Sequence, residues 1–479
     1  MTNFGTSTST TTPDPSESAP VSFGIGGSPR PGVNLVGFLQ AEFGQGEVAR
    51  RLDRALRHAG IAHSTIPWGD VPHRQEHVFE HSAEVLHDVN LVCLNAEHLL
   101  RFADSAAGEL LADRLTVGVW FWETSAFPAY LRPALKYVDE VWVASEFVAD
   151  AIRAATSVPV RVFPLPVEPP SDTPVTRSDL GLAEDRFLFS FVFDFHSTVA
   201  RKNPGGLIDA YARAFGPDDG AALVVKSING DKFRDDLRAL EAAAAGRADV
   251  RVVDGFVPAA QVAAYTSLAD CSVSLHRSEG FGLTLAEAMA LGKPVIATGY
   301  SGNLNFMSDE NSFLVRHRVT ELDQDVGPYP AGSAWAEPDV AHAAELMRQV
   351  MDDPATAGER AARGRETILR EHSIERTAAF LAERVPHLSA QARERAVPGP
   401  SQNATAFLLR GPRIGWETPG RLGRLGVLYR RLLMRLLRPY TARQREWEHA
   451  VVDGLLELER SNDELRRRLN DLERQRDGS

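Results

Sequence analysis

The stretch LHRSEGFGLTLAEAMALGKPVIATGYSGNLNFM, residues 275–307, decides the fold class of this chain. An apolar strand over 271–275 runs into a Ser-Glu-Gly-Phe-Gly loop, and the pattern after it predicts a helix over 283–291. Gly-Lys-Pro then leads into a second apolar strand over 295–298. A strand, a helix and a second strand form the unit of a parallel α/β sheet, whose ligands bind at the carboxyl ends of the strands.

Two carboxylates lie at that end of the predicted strand. Glu279 is on the loop, and Glu287 is in the helix behind it. A helix amino terminus favours an anion, and carboxylates accept hydrogen bonds from hydroxyls, so the pair indicates a phosphorylated sugar ligand such as a nucleotide sugar. The alternative is an ordinary strand-helix-strand unit with surface glutamates. The glycines, the carboxylates and the following Gly-Asn loop occur together, which favours the ligand site.

The phrase EGFGLTLAEAMALGKPVIA and the spacing of its two glutamates resemble the retaining nucleotide-sugar glycosyltransferases of the GT-B fold, group 4 (GT4). The resemblance covers about residues 34–387 and is stronger in the second half. It implies two Rossmann-like doubly wound domains with a cleft between them. The implied reaction moves a hexose from a nucleoside diphosphate sugar to a hydroxyl of a glycan or lipid-linked acceptor, in polysaccharide or glycoconjugate synthesis. An alternative function is a catalytically idle GT-B scaffold that serves as an assembly or regulatory subunit.

The resemblance also assigns roles to residues of this stretch. Glu279 is expected to hold the hydroxyls of the donor sugar, and Glu287 the nucleotide ribose. The loop residues expected to contact substrate are Gly280, Phe281, Gly282 and Leu283.

A basic loop opens the second half, within FDFHSTVARKNPGGLIDAY (residues 193–211). Arg201 and Lys202 precede a helix expected to start near Pro204, and cations there would stabilise the charge that builds on a departing diphosphate. In the resembled family an Arg precedes the Lys by five positions; Lys202 matches the Lys, but Ser197 occupies the Arg position. A solvated Arg-Lys pair is the alternative. Lys226, after a predicted strand over 222–225, is a weaker candidate at the same edge.

The loop after the next strand contains Ser301, Gly302 and Asn303, whose backbone N–H groups are expected to approach a phosphate or sugar, with a simple turn as the alternative. Asp323 and Asp325 form an Asp-x-Asp, but they lie outside any strand end. We therefore expect no metal site and no cofactor beyond the nucleotide sugar as co-substrate.

In the first half, a strand, a glycine loop and a helix begin at NLVGFLQAEFGQGEVARRL. Gly44 and Gly46 fit the dinucleotide fingerprint formally, but the nearest suitable acid, Asp70, does not end the second strand, so an oxidoreductase is a poor interpretation. The resemblance instead implies a glycine loop near the donor phosphates and the acceptor. Its candidate contacts are Gly44, Gly46 and Glu47.

The phrase GVWFWETSAFP (residues 118–128) leaves a predicted buried strand with several aromatic residues and Glu123. Related enzymes often carry a His near this position. Glu123 is a candidate contact to the transferred sugar or the acceptor, and a buried aromatic cluster with a surface Glu is the alternative. His98 ends the preceding strand and is a further candidate, although a structural histidine is the more common outcome.

The chain organisation follows from composition. A Ser/Thr/Pro/Gly-rich segment over 1–32 is expected to be disordered. Strands are predicted over 33–39, 63–67, 89–95, 115–120, 141–144 and 160–164, then over 187–193, 222–225, 250–253, 271–275, 295–298 and 312–315, with closing helices over 338–387. The predicted units are an amino-terminal acceptor domain (33–165), a linker (166–184), a donor domain (185–388), a second linker (389–420) and two tail segments (421–448 and 449–476).

The net charge of −12 argues against nucleic acid as a partner. The amino terminus does not read as a secretory signal, no run is long enough to span a membrane, and the two cysteines suit a reducing compartment, so a cytoplasmic location is expected.

The tail differs from the acidic body. Residues 421–448 combine a leucine face with arginines, which is typical of a helix on an anionic membrane surface; a helix docked on the body with solvated arginines is the alternative. Residues 449–476 follow heptad spacing with Asn462 at an a position, which favours a short coiled coil and a homodimer. Both features allow peripheral attachment to the inner face of the cell membrane.

Overall fold

Two parallel six-stranded sheets, each with helices on its faces, make up the fold. The structure is a computed structural model that describes residues 30–80, 87–112, 114–169 and 174–396. Both sheets were predicted from alternating apolar runs, and the doubly wound α/β class is confirmed. We call residues 30–169 the amino half and residues 174–371 the carboxy half.

The amino half contains the first sheet, with strand order β2-β1-β3-β4-β5-β6. Short 3₁₀ helices, Ala106–Leu111 and Ala129–Tyr137, follow its third and fourth strands along the chain. Its elements are β1 (Arg30–Gly37), α1 (Gly44–His58), β2 (His63–Pro67), β3 (His87–Cys93), α2 (Ala96–Asp104), β4 (Leu115–Val119), β5 (Glu140–Val143), α3 (Glu146–Arg153) and β6 (Val160–Val162).

The carboxy half contains the second sheet, with strand order β12-β11-β10-β7-β8-β9. Its elements are β7 (Phe187–Asp194), α4 (Val199–Lys202), α5 (Pro204–Ala214), β8 (Ala221–Ile228), α6 (Arg234–Ala244), β9 (Val250–Asp254), α7 (Ala259–Ser267), β10 (Cys271–Ser274), α8 (Leu283–Ala290), β11 (Val295–Thr298), β12 (Phe313–Val315), β13 (His317–Glu321), β14 (Ala334–Pro338), α9 (Val340–Asp352) and α10 (Pro354–Glu371).

The strand orders locate the place where ligands bind. In the second sheet the order reverses between β7 and β10, and in the first sheet between β1 and β3. In open parallel sheets the loops on either side of such a reversal diverge and leave a crevice at the carboxyl ends of the strands. The loops after β7 and β10 contain Arg201, Lys202 and Glu279, so the motifs found in the sequence lie at the crevice of the second sheet.

The last described helix, α11 (Ile374–Ala396), crosses back to the first sheet. The sequence placed the helices over 338–387 with the second sheet, and for α11 this is wrong. Leu381, Val385 and Leu388 join the buried cluster of α1 and the first sheet, and Thr377 Oγ1 donates a hydrogen bond of 2.6 Å to the Pro164 carbonyl. Apolar periodicity shows which face of a helix is buried but not which sheet it covers.

Three further differences concern boundaries. β1 begins at Arg30, inside the segment predicted to be disordered over 1–32. β13 and β14 form an antiparallel pair that the sequence did not predict. The tail segments 421–448 and 449–476 lie outside the described residues, and the domain limits drawn from composition stay predictions. In the part of the chain that is described, no helix is both long and apolar enough to cross a membrane.

Candidate active site

Glu279 forms the centre of a buried charged group at the carboxyl end of β10. Lys202 Nζ lies 2.5 Å from Glu279 Oε1, and Arg201 Nη1 lies 3.1 Å from Oε2. Burial raises the pKa of Glu279, but Lys202 and Arg201 outweigh it and bring the pKa to about 2. Glu279 is therefore ionised at neutral pH, and two cations face the crevice beside it.

The loop after β7 is built to present these cations. Thr198 and Asn203 flank α4 with φ of 65° and 53°, a left-handed backbone that lets the chain turn sharply into and out of one helical turn. The Arg201 guanidinium donates to the Ser278 carbonyl at 2.8 Å, and Asn203 Nδ2 donates to the Leu275 carbonyl at 3.0 Å. These two hydrogen bonds join the loop after β7 to the loop after β10, on the two sides of the point where the strand order reverses.

The loop after β11 supports the backbone of Glu279. Ser301 Oγ accepts the Glu279 N–H at 2.8 Å, and the Gly302 N–H donates to the Glu279 carbonyl at 2.9 Å. A Cβ on Gly302 would lie 2.1 Å from the Gly280 carbonyl oxygen, so only glycine allows the two loops to approach this closely. Asn303 is buried and bonds to the Thr298 carbonyl and to His276, so its side chain holds the loop together.

Glu287 faces the amino half from the first turns of α8. Arg51 Nη2 of α1 lies 2.5 Å from Glu287 Oε1, and Arg51 Nε donates to Glu47 Oε1 at 2.8 Å. Arg51 also donates to the Pro166 carbonyl at 3.3 Å. Burial raises the pKa of Glu287, and Arg51 offsets part of that rise. Arg51 occupies Oε1, so Oε2 is the oxygen left for a ligand hydroxyl.

Glu123 enters the site from the loop after β4. The Tyr329 hydroxyl donates to Glu123 Oε2 at 3.0 Å, although Tyr329 belongs to the carboxy half. Burial lowers the pKa of Arg201, but the interactions with Tyr329, Glu279 and Glu123 outweigh burial and hold that pKa above its ordinary value. The carboxylate of Glu123 is thus electrostatically linked to the Glu279 group.

The two halves also make contacts outside the charged group of Glu279. Ser145 Oγ donates to the Gly280 carbonyl at 2.6 Å, and a Cβ on Gly280 would lie 3.1 Å from the Trp122 carbonyl oxygen. His73 Nε2 lies 3.5 Å from Asp194 Oδ2 across the same junction. The site is therefore enclosed by loops from both sheets.

Comparison with known proteins supports one family for this arrangement. Residues 173–367 match the family model described as "Glycosyl transferases group 1", a range that contains Lys202, Glu279 and Glu287. The chain carries a group 1 glycosyltransferase domain. It is also similar to D-inositol 3-phosphate glycosyltransferase of Arthrobacter sp. (strain FB24), with 30% identity over 199 residues. That similarity covers 41% of this chain and 41% of the relative, so the chain spans less than half of the relative's length.

Solved structures with a similar fold cover both the amino half and the carboxy half. Sucrose-phosphate synthase from Thermosynechococcus elongatus has a TM-score of 0.57 and 19% identity over 76% of this chain and 100% of its own. Anabaena HepE in complex with UDP and glucose has a TM-score of 0.53 and 15% identity, covering 75% of this chain and 100% of its own. These likenesses identify the GT-B fold.

Lys226 does not join the site, and its expected place at the same edge is wrong. The strand predicted to end at residue 225 continues to Ile228, so Lys226 lies within β8. Its ammonium donates to the Ser227 carbonyl at 2.6 Å and to the Gly255 carbonyl, with the Tyr265 ring 6.0 Å away. The extra length of the strand buries the residue instead of leaving it on the following loop.

The other residues predicted to contact substrate differ in burial and in their neighbours. Phe281 is 3% exposed and packs its ring on Phe306, which is a structural contact. Gly282 has φ of 92° at the start of α8, where Leu283 follows half-buried. His98 lies edge-on to Phe38 with ring centroids 5.0 Å apart, and burial lowers the pKa of His98 to about 4. His98 is thus neutral at physiological pH.

The two glycines of the glycine loop in the amino half differ in how much space surrounds them. A Cβ on Gly46 would lie 2.3 Å from the Ala41 carbonyl oxygen, whereas a Cβ on Gly44 would have no heavy atom within 4 Å. Glu47 is held by Arg50, Arg51 and Arg54, with Arg51 and Arg50 lowering its pKa against the effect of burial. Glu47 therefore orients the guanidinium of Arg51, which in turn pairs with Glu287.

Several residues that the fold brings to the site were not among the candidates predicted from the sequence. Arg51 carries a weak signal, because it follows Glu47 by one helical turn on a buried face. Tyr329 and Ser145 carry none, since each reaches the site by a long-range contact. Asp325, half of the Asp-x-Asp, accepts the Ala331 N–H at 2.8 Å in its own loop. Over the described ranges, no cluster of three or more His, Cys, Asp or Glu has the geometry of a metal site.

Proposed function

We propose that this protein is a retaining glycosyltransferase that moves a hexose from a nucleoside diphosphate sugar to a hydroxyl of a glycan or lipid-linked acceptor. One observation carries the proposal: Lys202 and Arg201 lie 2.5 and 3.1 Å from Glu279 at the reversal point of the second sheet. A buried carboxylate with two cations offers hydrogen-bond acceptors for sugar hydroxyls and positive charge for a diphosphate in one place. The match of residues 173–367 to group 1 glycosyl transferases supports it independently.

The donor is placed across the carboxy half. Glu279 holds hydroxyls of the donor sugar, Arg201 and Lys202 face the diphosphate, and the open oxygen of Glu287 binds the ribose. The backbone of Ser301 and Gly302 lies beside the sugar. HepE is in complex with UDP and glucose, and the other similar protein is a sucrose-phosphate synthase, which supports a nucleotide sugar as the donor class here.

The reaction proceeds on one face of the sugar. The bond between the anomeric carbon and the diphosphate oxygen breaks, its electron pair passes to the diphosphate, and Lys202 and Arg201 stabilise the charge that develops there. The acceptor oxygen bonds to the anomeric carbon on the face that the diphosphate leaves. The acceptor proton passes to an oxygen of the departing phosphate. The configuration at the anomeric carbon is retained, and no metal takes part.

The acceptor approaches from the amino half. Glu123 follows β4 in the amino half, and its carboxylate accepts the hydrogen bond of an acceptor hydroxyl. The glycine loop around Gly44 is open enough to contact the acceptor or the donor phosphates. The proposed membrane surface for 421–448 and the homodimer through 449–476 rest on sequence pattern alone, as does a cytoplasmic location.

The test is a donor screen on the full chain. Thermal shift with UDP-glucose, UDP-N-acetylglucosamine, GDP-mannose and ADP-glucose identifies the donor, and NMR of its slow hydrolysis or transfer reports the anomeric configuration. We expect stabilisation by one nucleotide class, turnover that survives EDTA, and a retained anomer. A folded protein that binds none of these donors and hydrolyses none would favour the idle scaffold, and an inverted product would overturn the retaining mechanism.

A further inference from the structure

The β13–β14 hairpin, residues 317–338, leaves the second sheet and packs on the amino half. Leu322, Tyr329 and Trp335 are 8%, 3% and 7% exposed and belong to the buried cluster that contains Trp122. The Tyr130 hydroxyl donates to the Pro328 carbonyl at 2.8 Å. The hairpin is thus a bridge between the halves.

The base of the hairpin is fastened to the basic loop of the donor site. Arg277 pairs with both carboxylate oxygens of Glu337 at 2.6 and 2.9 Å, and its guanidinium donates to the Ala200 carbonyl at 2.5 Å. The Arg277 N–H also donates to the Arg201 carbonyl at 2.7 Å. Near the turn, a Cβ on Gly327 would lie 3.0 Å from Thr198 Oγ1, so the hairpin also touches the start of that loop.

The tip of the hairpin places Tyr329 against Glu123. The Tyr329 hydroxyl donates to Glu123 Oε2 at 3.0 Å, and the ring lies 5.5 Å from the Trp122 ring at 60°. The hydroxyl has one rotatable torsion and sits on a ring that is fixed by packing, so it restrains the carboxylate with little loss of entropy on binding. Glu123 Oε1 has no hydrogen bond in the described part of the chain that would compete with a ligand hydroxyl.

We propose that Tyr329 is a positioning residue that holds Glu123 in the orientation required by the acceptor hydroxyl, and that the β13–β14 hairpin connects this acceptor contact to the donor diphosphate loop. The inference rests on the proposed function and adds the element that ties its two subsites together. Glu123 comes from the amino half, whereas Glu279, Lys202 and Glu287 come from the carboxy half. Freeing Glu123 therefore acts on the acceptor more than on the donor.

The experiment compares transfer with hydrolysis in the same assay. The donor is whichever nucleotide sugar wild-type protein hydrolyses fastest, and the acceptors are glycerol and a panel of methyl glycosides. Tyr329→Phe removes only the hydroxyl, so we expect transfer to fall roughly tenfold more than hydrolysis, with acceptor KM or kcat changed and donor KM much less affected. Tyr130→Phe is the matched control, because it removes a hydroxyl that is hydrogen-bonded to the same hairpin at Pro328 and, among the described residues, makes no hydrogen bond to Glu123.

A double-mutant cycle tests whether Tyr329 acts through Glu123. If it does, Tyr329→Phe adds little to Glu123→Ala, because that substitution already removes the oxygen that accepts the Tyr329 hydroxyl. Additive effects, equal losses of transfer and hydrolysis, or a Tyr329→Phe protein that behaves like Tyr130→Phe would each overturn the inference. A wild-type protein that hydrolyses donor but transfers to no acceptor would overturn the role of Glu123 and Tyr329 while sparing the donor site. A wild type without any donor turnover would instead defeat the proposed function.

Discussion

The two halves contribute to the candidate site in different ways. The carboxy half supplies a dense group of charges from short stretches of chain, with Lys202 and Arg201 on one loop and Glu279 on another. The amino half supplies single side chains from separate elements, among them Arg51 from α1, Glu123 after β4 and Ser145 after β5. We infer that the chemistry resides in the carboxy half and that the amino half sets the geometry in which it acts.

The largest expected effect follows from the charges of the carboxy half. Lys202→Met removes the closer of the two cations beside Glu279, which in the proposed function also faces the diphosphate. Loss of one charged stabilising group at such a site costs about 10²–10³ in turnover, so we expect kcat to fall by roughly that factor. Steady-state donor hydrolysis measures it.

Lys232→Met is the matched control for that substitution. Lys232 donates to the Pro72 carbonyl of the amino half at 2.9 Å, and among the described residues it makes no hydrogen bond or ion pair with Glu279. If both lysine variants lose the same activity, the charged group has no special role and the comparison between the halves fails.

The second prediction concerns acid stability and compares one histidine from each half. Burial lowers the pKa of His276 to about 4, and the same cause lowers the pKa of His98 to about 4. Because the folded pKa lies below the unfolded value near 6.5, each neutral histidine contributes stability above that pH and loses it as the pH falls toward 4. For His276, which is fully buried, the loss is about 3 kcal/mol.

Urea unfolding at pH 7 and pH 4.5 measures this difference. His276→Gln is expected to lose less stability between the two pH values than wild type does. His98→Gln should reduce the pH dependence in the same direction and by a comparable amount, because burial lowers the pKa of His98 to about 4 as well. An unchanged pH dependence in His276→Gln would show that this histidine titrates normally in the folded state.

The contrast between the halves also explains what the sequence could predict. The strands were readable because both faces of a parallel sheet are buried, which produces continuous apolar runs such as FLFSFVF in β7. Glu279 and Lys202 were readable because each lies directly beside a strand end. Arg51 and Tyr329 were not, since their partners lie 236 and 206 residues away along the chain. Contacts at such separations depend on how the sheets pack, and a single sequence does not encode that in a local pattern.

The third prediction tests the contact between α1 and the donor site. Arg51→Gln removes a charged hydrogen bond to Glu287, which should weaken nucleotide binding by about 1.5–3 kcal/mol, or roughly ten- to a hundredfold. Arg54→Gln is the matched control, because Arg54 lies on the same helix and pairs with Glu47 and Glu168 but not with Glu287. Calorimetry with the preferred nucleoside diphosphate measures both. If the two variants bind equally well, Glu287 does not need its partner from the amino half.

The smallest expected effect belongs to the neutral contact between Ser145 and the Gly280 carbonyl. The Ser145 hydroxyl donates to that carbonyl at 2.6 Å and also accepts the Val148 N–H as the cap of α3. Ser145→Ala therefore removes one uncharged hydrogen bond between the halves and one helix cap. The first loss is worth about 0.5–1.5 kcal/mol, so we expect donor KM to rise about two- to tenfold.

A second serine separates the two effects of that substitution. Ser105 caps the 3₁₀ helix Ala106–Leu111 in the amino half by accepting the Ala107 N–H, and it bonds to the Phe102 carbonyl within the same half. Ser105→Ala should lower thermal stability with donor KM unchanged, whereas Ser145→Ala should change both. If Ser145→Ala changes thermal stability but not donor KM, the loop at Gly280 keeps its position without the hydrogen bond from the amino half. Of these two contacts from the amino half, only the one from Arg51 would then affect the geometry of the donor site. The amino half would contribute less to donor binding than its contacts indicate.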